Sequence, residues 1–209
     1  MSLFSEIETL KKEKNAIILA HYYVPDEVQV IADFVGDSFA LAKKAKETDA
    51  KIIVFAGVLF MAESAKLLNP DKKVLIPDMS ADCPMAHMAA ISKIKKMKEE
   101  YEDLAVVCYV NSTAALKAVS DVCVTSSNAV DIVRSLKNQN IFFIPDQHLG
   151  SYVKKQVPEK NIILMRMAAL PKGPGSMTTS IWTKMVPTPQ AGWRSTERSI
   201  ISARSIIRS

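Results

Sequence analysis

The sequence predicts an α/β protein made of tandem three-layer modules with short parallel sheets. Three observations lead there. Residues 17–76 reappear without a gap as residues 105–164, an offset of 88 positions. Identical pairs at that offset include Asp33/Asp121, Ser38/Ser126, Ile53/Ile141, Phe55/Phe143, Lys66/Lys154, Pro70/Pro158 and Lys72/Lys160. Within each copy, short apolar runs alternate with stretches of helical period, the pattern of strands covered on both faces by helices.

Each copy runs in one order. A buried strand (16–20; 104–108) leads through polar residues into a helix (27–34; 115–122), and a second helix follows a short turn at Asp37-Ser38 or Thr125-Ser126. Next come a strand (51–56; 140–144), a helix (60–68; 148–156) and a last strand (73–76; 161–164). An amphipathic helix is expected at the N-terminus, and residues 90–101, with Ile91, Ile94 and Met97 at helical spacing, read as a surface connector between the copies. The domains expected are residues 1–82, residues 83–164 and a basic tail, 165–209.

Composition narrows the functional classes. A chain of 209 residues that is 48% hydrophobic can bury a core. The net charge of +5 and pI near 9.0 would suit a nucleic-acid or acidic-membrane partner, but the charge is localised. The tail carries Arg166, Lys172, Lys184, Arg194, Arg198, Arg204 and Arg208 against Glu197 alone, which leaves 20 basic and 21 acidic residues in the repeated body. The body therefore offers no basic face, and neither a nucleic-acid nor a membrane partner is expected. No apolar run approaches the roughly 20 residues that span a bilayer, and the first residues lack a signal-peptide core. Three cysteines are too few for a disulfide framework, so a reducing cytoplasm is the expected location. The tail holds both tryptophans and three of the six glycines, and its PKGPG and VPTPQ stretches break the pattern; it is expected to be poorly ordered, with a terminal helix over 199–208 as the rival.

Polar residues beyond the strand ends are the candidates for chemistry. The first strand of one copy ends in His21-Tyr22-Tyr23 and that of the other in Tyr109-Val110-Asn111, where open parallel sheets bind ligands. An imidazole and phenols there could exchange protons with a carbonyl or imine. The competing reading has the tyrosines packing under a helix and His21 capping a loop. Ser38 and Ser126 are placed at helix starts, either as plain caps or, with the helix N–H groups, as a grip for phosphate or carboxylate. Cys83 lies in a loop after the last strand of the first copy and is available to a metal or a substrate. Cys108 and Cys123 fall within apolar patterns and read as core.

Taken together, ILAHYY ending at Tyr23, IADFVGDS ending at Ser38, GVLFMAE from Gly57, LLNPDKKVLIP from Leu67, DCPMA around Cys83, YVNSTA from Tyr109, VTSSNAV from Val124 and PDQHLG from Pro145 resemble the quinolinate synthase family over about residues 5–164. The resemblance implies three α/β modules about a pseudo-threefold axis, of which this chain carries two. It implies a transferase that condenses iminoaspartate with dihydroxyacetone phosphate to quinolinate in NAD biosynthesis, with L-aspartate oxidase or aspartate dehydrogenase supplying the imine. A [4Fe-4S] cluster held by three cysteines would act as a Lewis acid through its open iron. On that resemblance Cys83 is the first cluster ligand. His21, Tyr23 and Tyr109 are catalytic, and His21, Ser38, Tyr109, Asn111 and Ser126 bind substrate. The family's second ligand belongs shortly after Leu164, where neither Cys nor His occurs. The end beyond Leu164 therefore reads as frameshifted or misjoined, and the chain by itself is expected to be inactive. A non-catalytic α/β module that binds a small anionic metabolite is the alternative.

Overall fold

Runs such as Ile17-Ile18-Leu19-Ala20 and Ile53-Val54-Phe55-Ala56 have no polar position to turn toward water, so they become strands buried on both faces. The structure, a computed structural model, describes residues 3–165 together with Ser205 and Ile207. These fall into two compact units, one of residues 3–82 with Ser205 and Ile207, the other of residues 83–165.

The first unit runs α1 (Leu3–Lys14), β1 (Ala16–His21), α2 (Asp26–Val30), β2 (Phe34–Gly36), α3 (Ser38–Glu47), β3 (Ile52–Ala56), α4 (Leu59–Leu68) and β4 (Lys73–Leu75). After a 3-10 turn at Pro84–His87, the second runs α5 (Ile91–Glu100), β5 (Leu104–Tyr109), α6 (Ala114–Ala118), β6 (Val122–Val124), α7 (Ala129–Ser135), β7 (Asn140–Ile144), α8 (Gln147–Gln156) and β8 (Asn161–Leu164). Each unit holds one parallel four-stranded sheet, in the orders β2-β1-β3-β4 and β6-β5-β7-β8.

The 88-residue offset holds at the level of register. Leu19 pairs with Phe34 as Val107 pairs with Val122, Ala16 with Ile52 as Leu104 with Asn140, and Ile52 with Lys73 as Asn140 with Asn161. Helices cover both faces. In the second sheet, Ala105, Val107, Ile141 and Phe143 meet Val133 of α7 and Val153 of α8, whereas Val106, Cys108, Phe142 and Ile144 meet Ile94 of α5 and Leu116 of α6. In the first, Ile18, Ala20, Val54 and Ala56 pack on Ile7 and Leu10 of α1 and Val28 of α2, joined by Ile207. Each fully buried Val, Leu, Ile or Phe among them contributes on the order of 1.5–3 kcal/mol.

Three expectations are revised. The helices expected at 27–34 and 115–122 stop early, at Val30 and Ala118, and three-residue edge strands follow. The cause is Asp33: its carboxylate accepts the Ile18 N–H at 2.8 Å and its own N–H donates to the Ile18 carbonyl at 2.9 Å, drawing the chain into the sheet. Asp121 does the same to Val106, at 2.8 and 3.0 Å. The supposed connector at 90–101 is the second module's counterpart of α1. Its Ile94 is buried, and Lys98 bridges Asp121 at 3.1 Å much as Lys11 bridges Asp33 at 2.8 Å. Cys123, expected in the core, is exposed on the edge strand β6, while Cys108 is buried. The reading of the tail falls on residues outside those described, apart from Ser205 and Ile207. Among the described residues, no helix is long and apolar enough to cross a membrane.

Candidate functional site

Parallel pairing brings the carboxyl ends of β1 and β2 side by side, and the sequence places its polar residues there. His21, the last residue of β1, is in register with Gly36, and the next residue, Tyr22, donates its N–H to the Gly36 carbonyl at 3.2 Å. The segment that leaves β2 is Asp37-Ser38, which therefore emerges beside His21. The second module repeats the arrangement: Val110 donates to the carbonyl of Val124 at 2.9 Å, setting Tyr109 and Asn111 beside Thr125 and Ser126. Within each module the expected residues follow the ends of two neighbouring strands: His21, Tyr23 and Ser38 those of β1 and β2, Tyr109, Asn111 and Ser126 those of β5 and β6. At the repeat offset His21 matches Tyr109, Tyr23 matches Asn111 and Ser38 matches Ser126.

His21 is buried and has two tilted phenol rings against it, its centroid 3.9 Å from that of Tyr23 and 4.3 Å from that of Tyr22. Burial pushes its pKa down to about 4, against the pull of the Asp37 carboxylate. Near neutral pH the ring is uncharged. Its Nδ1 faces the Tyr23 N–H at 3.4 Å, which leaves the ring proton on Nε2 as a donor. A neutral imidazole presenting an N–H polarises a carbonyl or imine without bringing a full charge into the site. The Tyr23 hydroxyl lies 3.9 Å from the Met61 sulfur of α4.

The serines need correction. Ser38 is the first residue of α3, but the cap is Asp37, whose Oδ1 accepts the Phe39 and Ala40 N–H groups at 2.9 and 2.8 Å. Ser38 is thereby relieved of capping. Ser126 does not begin a helix. It sits in a turn held by the Thr125 N–H donating to Asn128 Oδ1 at 2.7 Å, with Thr125 and Ser127 hydroxyls 2.9 Å apart, and α7 starts only at Ala129. The reason is residue 125: Thr125 stands where Asp37 stands in the first copy, and α7 has no side-chain cap. Asp37, which sets both the helix start and the field at His21, is the site residue that sequence reasoning passed over; an Asp directly before a helical period was its signal.

Cys83 is half-buried at the head of the 3-10 turn, its carbonyl accepting the Ala86 N–H at 2.9 Å. Among the described residues no group of three or more His, Cys, Asp or Glu side chains could hold a metal ion.

Comparison with known proteins agrees with the motifs. The family model described as quinolinate synthetase A protein matches residues 5–169. The quinolinate synthase of Fusobacterium nucleatum is 63% identical over 158 residues, covering 76% of this chain and 53% of its own length. That of Caldicellulosiruptor saccharolyticus is 60% identical over 159 residues (76% and 52%), and that of Aquifex aeolicus 54% over 164 (78% and 51%). The chain spans about half the length of these curated relatives. With that match running through both modules and the strand-end motifs, the chain belongs to the quinolinate synthetase A family.

Proposed function

We propose that these modules serve the reaction implied by the resemblance: condensation of iminoaspartate with dihydroxyacetone phosphate to quinolinate, with loss of two waters and phosphate. The observation that supports it is the matching of His21/Tyr109 and Tyr23/Asn111 at the carboxyl ends of β1 and β5, and of Ser38/Ser126 two residues after β2 and β6. The roles follow from the donors. The His21 Nε2–H and the Tyr109 phenol hold or pass a proton at carbonyl and imine atoms, with Tyr23 stacked on the imidazole to fix its plane. The Asn111 amide and the Ser38 and Ser126 hydroxyls bind phosphate and carboxylate oxygens.

The described residues do not by themselves fit a [4Fe-4S] cluster, which takes three or four thiolates. Cys108 and Cys123 are register partners within one sheet, which leaves Cys83 as the one loop thiol. Cys83 is proposed as a single cluster ligand, and the 209-residue chain assayed alone is expected to make no quinolinate. That single thiol also favours the second reading, a module that binds an anionic metabolite without turnover.

Calorimetric titration of the chain with dihydroxyacetone phosphate tests the site. Ser38→Ala and Ser126→Ala are each expected to weaken binding about tenfold, the loss of one hydrogen bond to a charged group. Affinity unchanged in both variants would sink the anion site. Anaerobic addition of iron and sulfide separates the two readings: iron retention that is lost in Cys83→Ala supports the enzyme, and no retention leaves binding alone.

A further inference from the structure

Cys108 and Cys123 face each other across neighbouring strands. They are direct register partners in the β5–β6 ladder, and register partners in a parallel pair point to the same face of the sheet. Adjacent strands lie about 4.8 Å apart, within the Cα separation of about 4.4–6.8 Å that a disulfide spans. Cys108 is buried and Cys123 exposed, so the pair has an inner and an outer member.

The surroundings are polar where the fold does not require it. The Ser112 hydroxyl is fully buried with no hydrogen-bond partner, and Ser120 donates to the Leu116 carbonyl at 2.7 Å. The Ser112 hydroxyl favours a thiolate on Cys108, as does the charge of Lys117. The neighbouring Cys123 thiol acts most strongly, and against the opposing effect of burial Cys108 is lowered to about 7 while Cys123 is raised. The two thiols therefore release a first proton readily and hold the second between them. At the equivalent positions of the first module, Cys108 is Ala20, Cys123 is Val35, Ser112 is Val24 and Ser120 is Ala32. The same sheet forms there with four apolar side chains. The fold therefore does not require any of the four replacements.

We propose that Cys108 and Cys123 form a dithiol that closes reversibly to a disulfide when a low-molecular-weight disulfide reaches the β6 edge. The pair gives its first proton to water, and the exposed Cys123 sulfur, passing its own proton to the Cys108 thiolate, attacks one sulfur of the small disulfide. A Cys123–thiol bond forms, the small S–S bond breaks and one thiolate leaves. Cys108, its proton given up to the departed small thiolate, then attacks the Cys123 sulfur as a thiolate and expels the second small thiolate. Two electrons pass to the small molecule, the two protein protons go, one by way of water, to the two departing thiolates, and the products are one protein disulfide and two small thiols.

The test uses the full 209-residue chain, reduced, then equilibrated with glutathione disulfide, trapped with iodoacetamide and mapped by mass spectrometry. Expected is a linked Cys108–Cys123 peptide that dithiothreitol releases, with Cys83 recovered as the alkylated thiol. Cys123→Val and Cys108→Ala, which copy the first module and so preserve packing, are each expected to abolish the link. Cys83→Ser is expected to retain it. Three results would each overturn the proposal: stable glutathione on Cys123 with Cys108 alkylated, a link from Cys83 to either partner, or the same yield of link after unfolding in urea.

Discussion

Asp33 and Ile18 are joined twice, the Asp33 carboxylate accepting the Ile18 N–H at 2.8 Å and the Asp33 N–H meeting the Ile18 carbonyl at 2.9 Å. The carboxylate also takes Lys11, which is only 8% exposed. Asp33→Ala would strand the buried Ile18 N–H and leave the nearly buried Lys11 ammonium with Glu8, at 2.6 Å, as its remaining carboxylate, and is expected to cost about 2–4 kcal/mol. Asp121→Ala strands the Val106 N–H, but Lys98 is 40% exposed and stays hydrated, so about 1–3 kcal/mol is expected. Urea unfolding of the two variants checks the order; equal losses would contradict it.

Lys72 and Lys160 close the ends of equivalent helices. Lys72 Nζ donates to the Ala45 and Thr48 carbonyls at the end of α3, at 3.0 and 2.5 Å, and Lys160 Nζ to those of Leu136 and Asn138 beyond α7, the latter at 2.8 Å. Each satisfies carbonyls that the helix cannot. Lys72→Met and Lys160→Met keep the stem and remove the donor, and each is expected to cost about 1–2 kcal/mol in urea unfolding.

His21 sets a pH dependence of stability. Its folded pKa, about 4, lies below the ordinary value of 6.5, so below pH 6.5 the unfolded chain binds the extra proton. The contribution of the neutral ring is complete above pH 6.5 and is lost progressively as the pH falls toward 4. Relative to His21→Gln, which does not titrate, the native chain is expected to lose about 2 kcal/mol between pH 7.5 and pH 5. Parallel urea titrations of the two proteins at both pH values check this. A pH-independent difference would place the imidazole in contact with water.

Gly150 lets α8 lie close against its sheet. A Cβ there would stand 2.9 Å from the Phe143 ring and 2.7 Å from Leu164 Cδ2. Phe143 is fully buried and has nowhere to swing. Gly150→Ala is expected to destabilise by about 1–3 kcal/mol despite its better helix propensity, measured as a lower thermal midpoint.

Much of the architecture is legible in the sequence because apolar runs of four or five residues bounded by turn chemistry admit few other structures. The 88-residue repeat then carries each assignment from one copy to the other. The edge strands β2 and β6 were hidden because three residues cannot show an alternation, and what holds them is a side-chain bond from Asp33 or Asp121 to a strand fifteen residues earlier. His21, Tyr109 and Asn111 were legible as site candidates from strand-end position alone. The difference between Ser38 and Ser126 was not, because it turns on a neighbour: Asp37 caps its helix at once, while Thr125 gives a turn first. Cys123 looked internal because Val122 and Val124 flank it, although an edge strand leaves one side chain in three to the solvent.

Because positions n and n+88 share one register in all three ladders of each sheet, the chain holds its own reference sample. A side chain in one module can be exchanged for its twin in the other, Val24 for Ser112 or Ala20 for Cys108, wherever the two neighbourhoods pack alike, a condition that Gly150 and its twin Ala62 do not meet. Swaps of this kind separate what the scaffold demands from what a ligand or an oxidant demands, within a single polypeptide and under a single set of conditions.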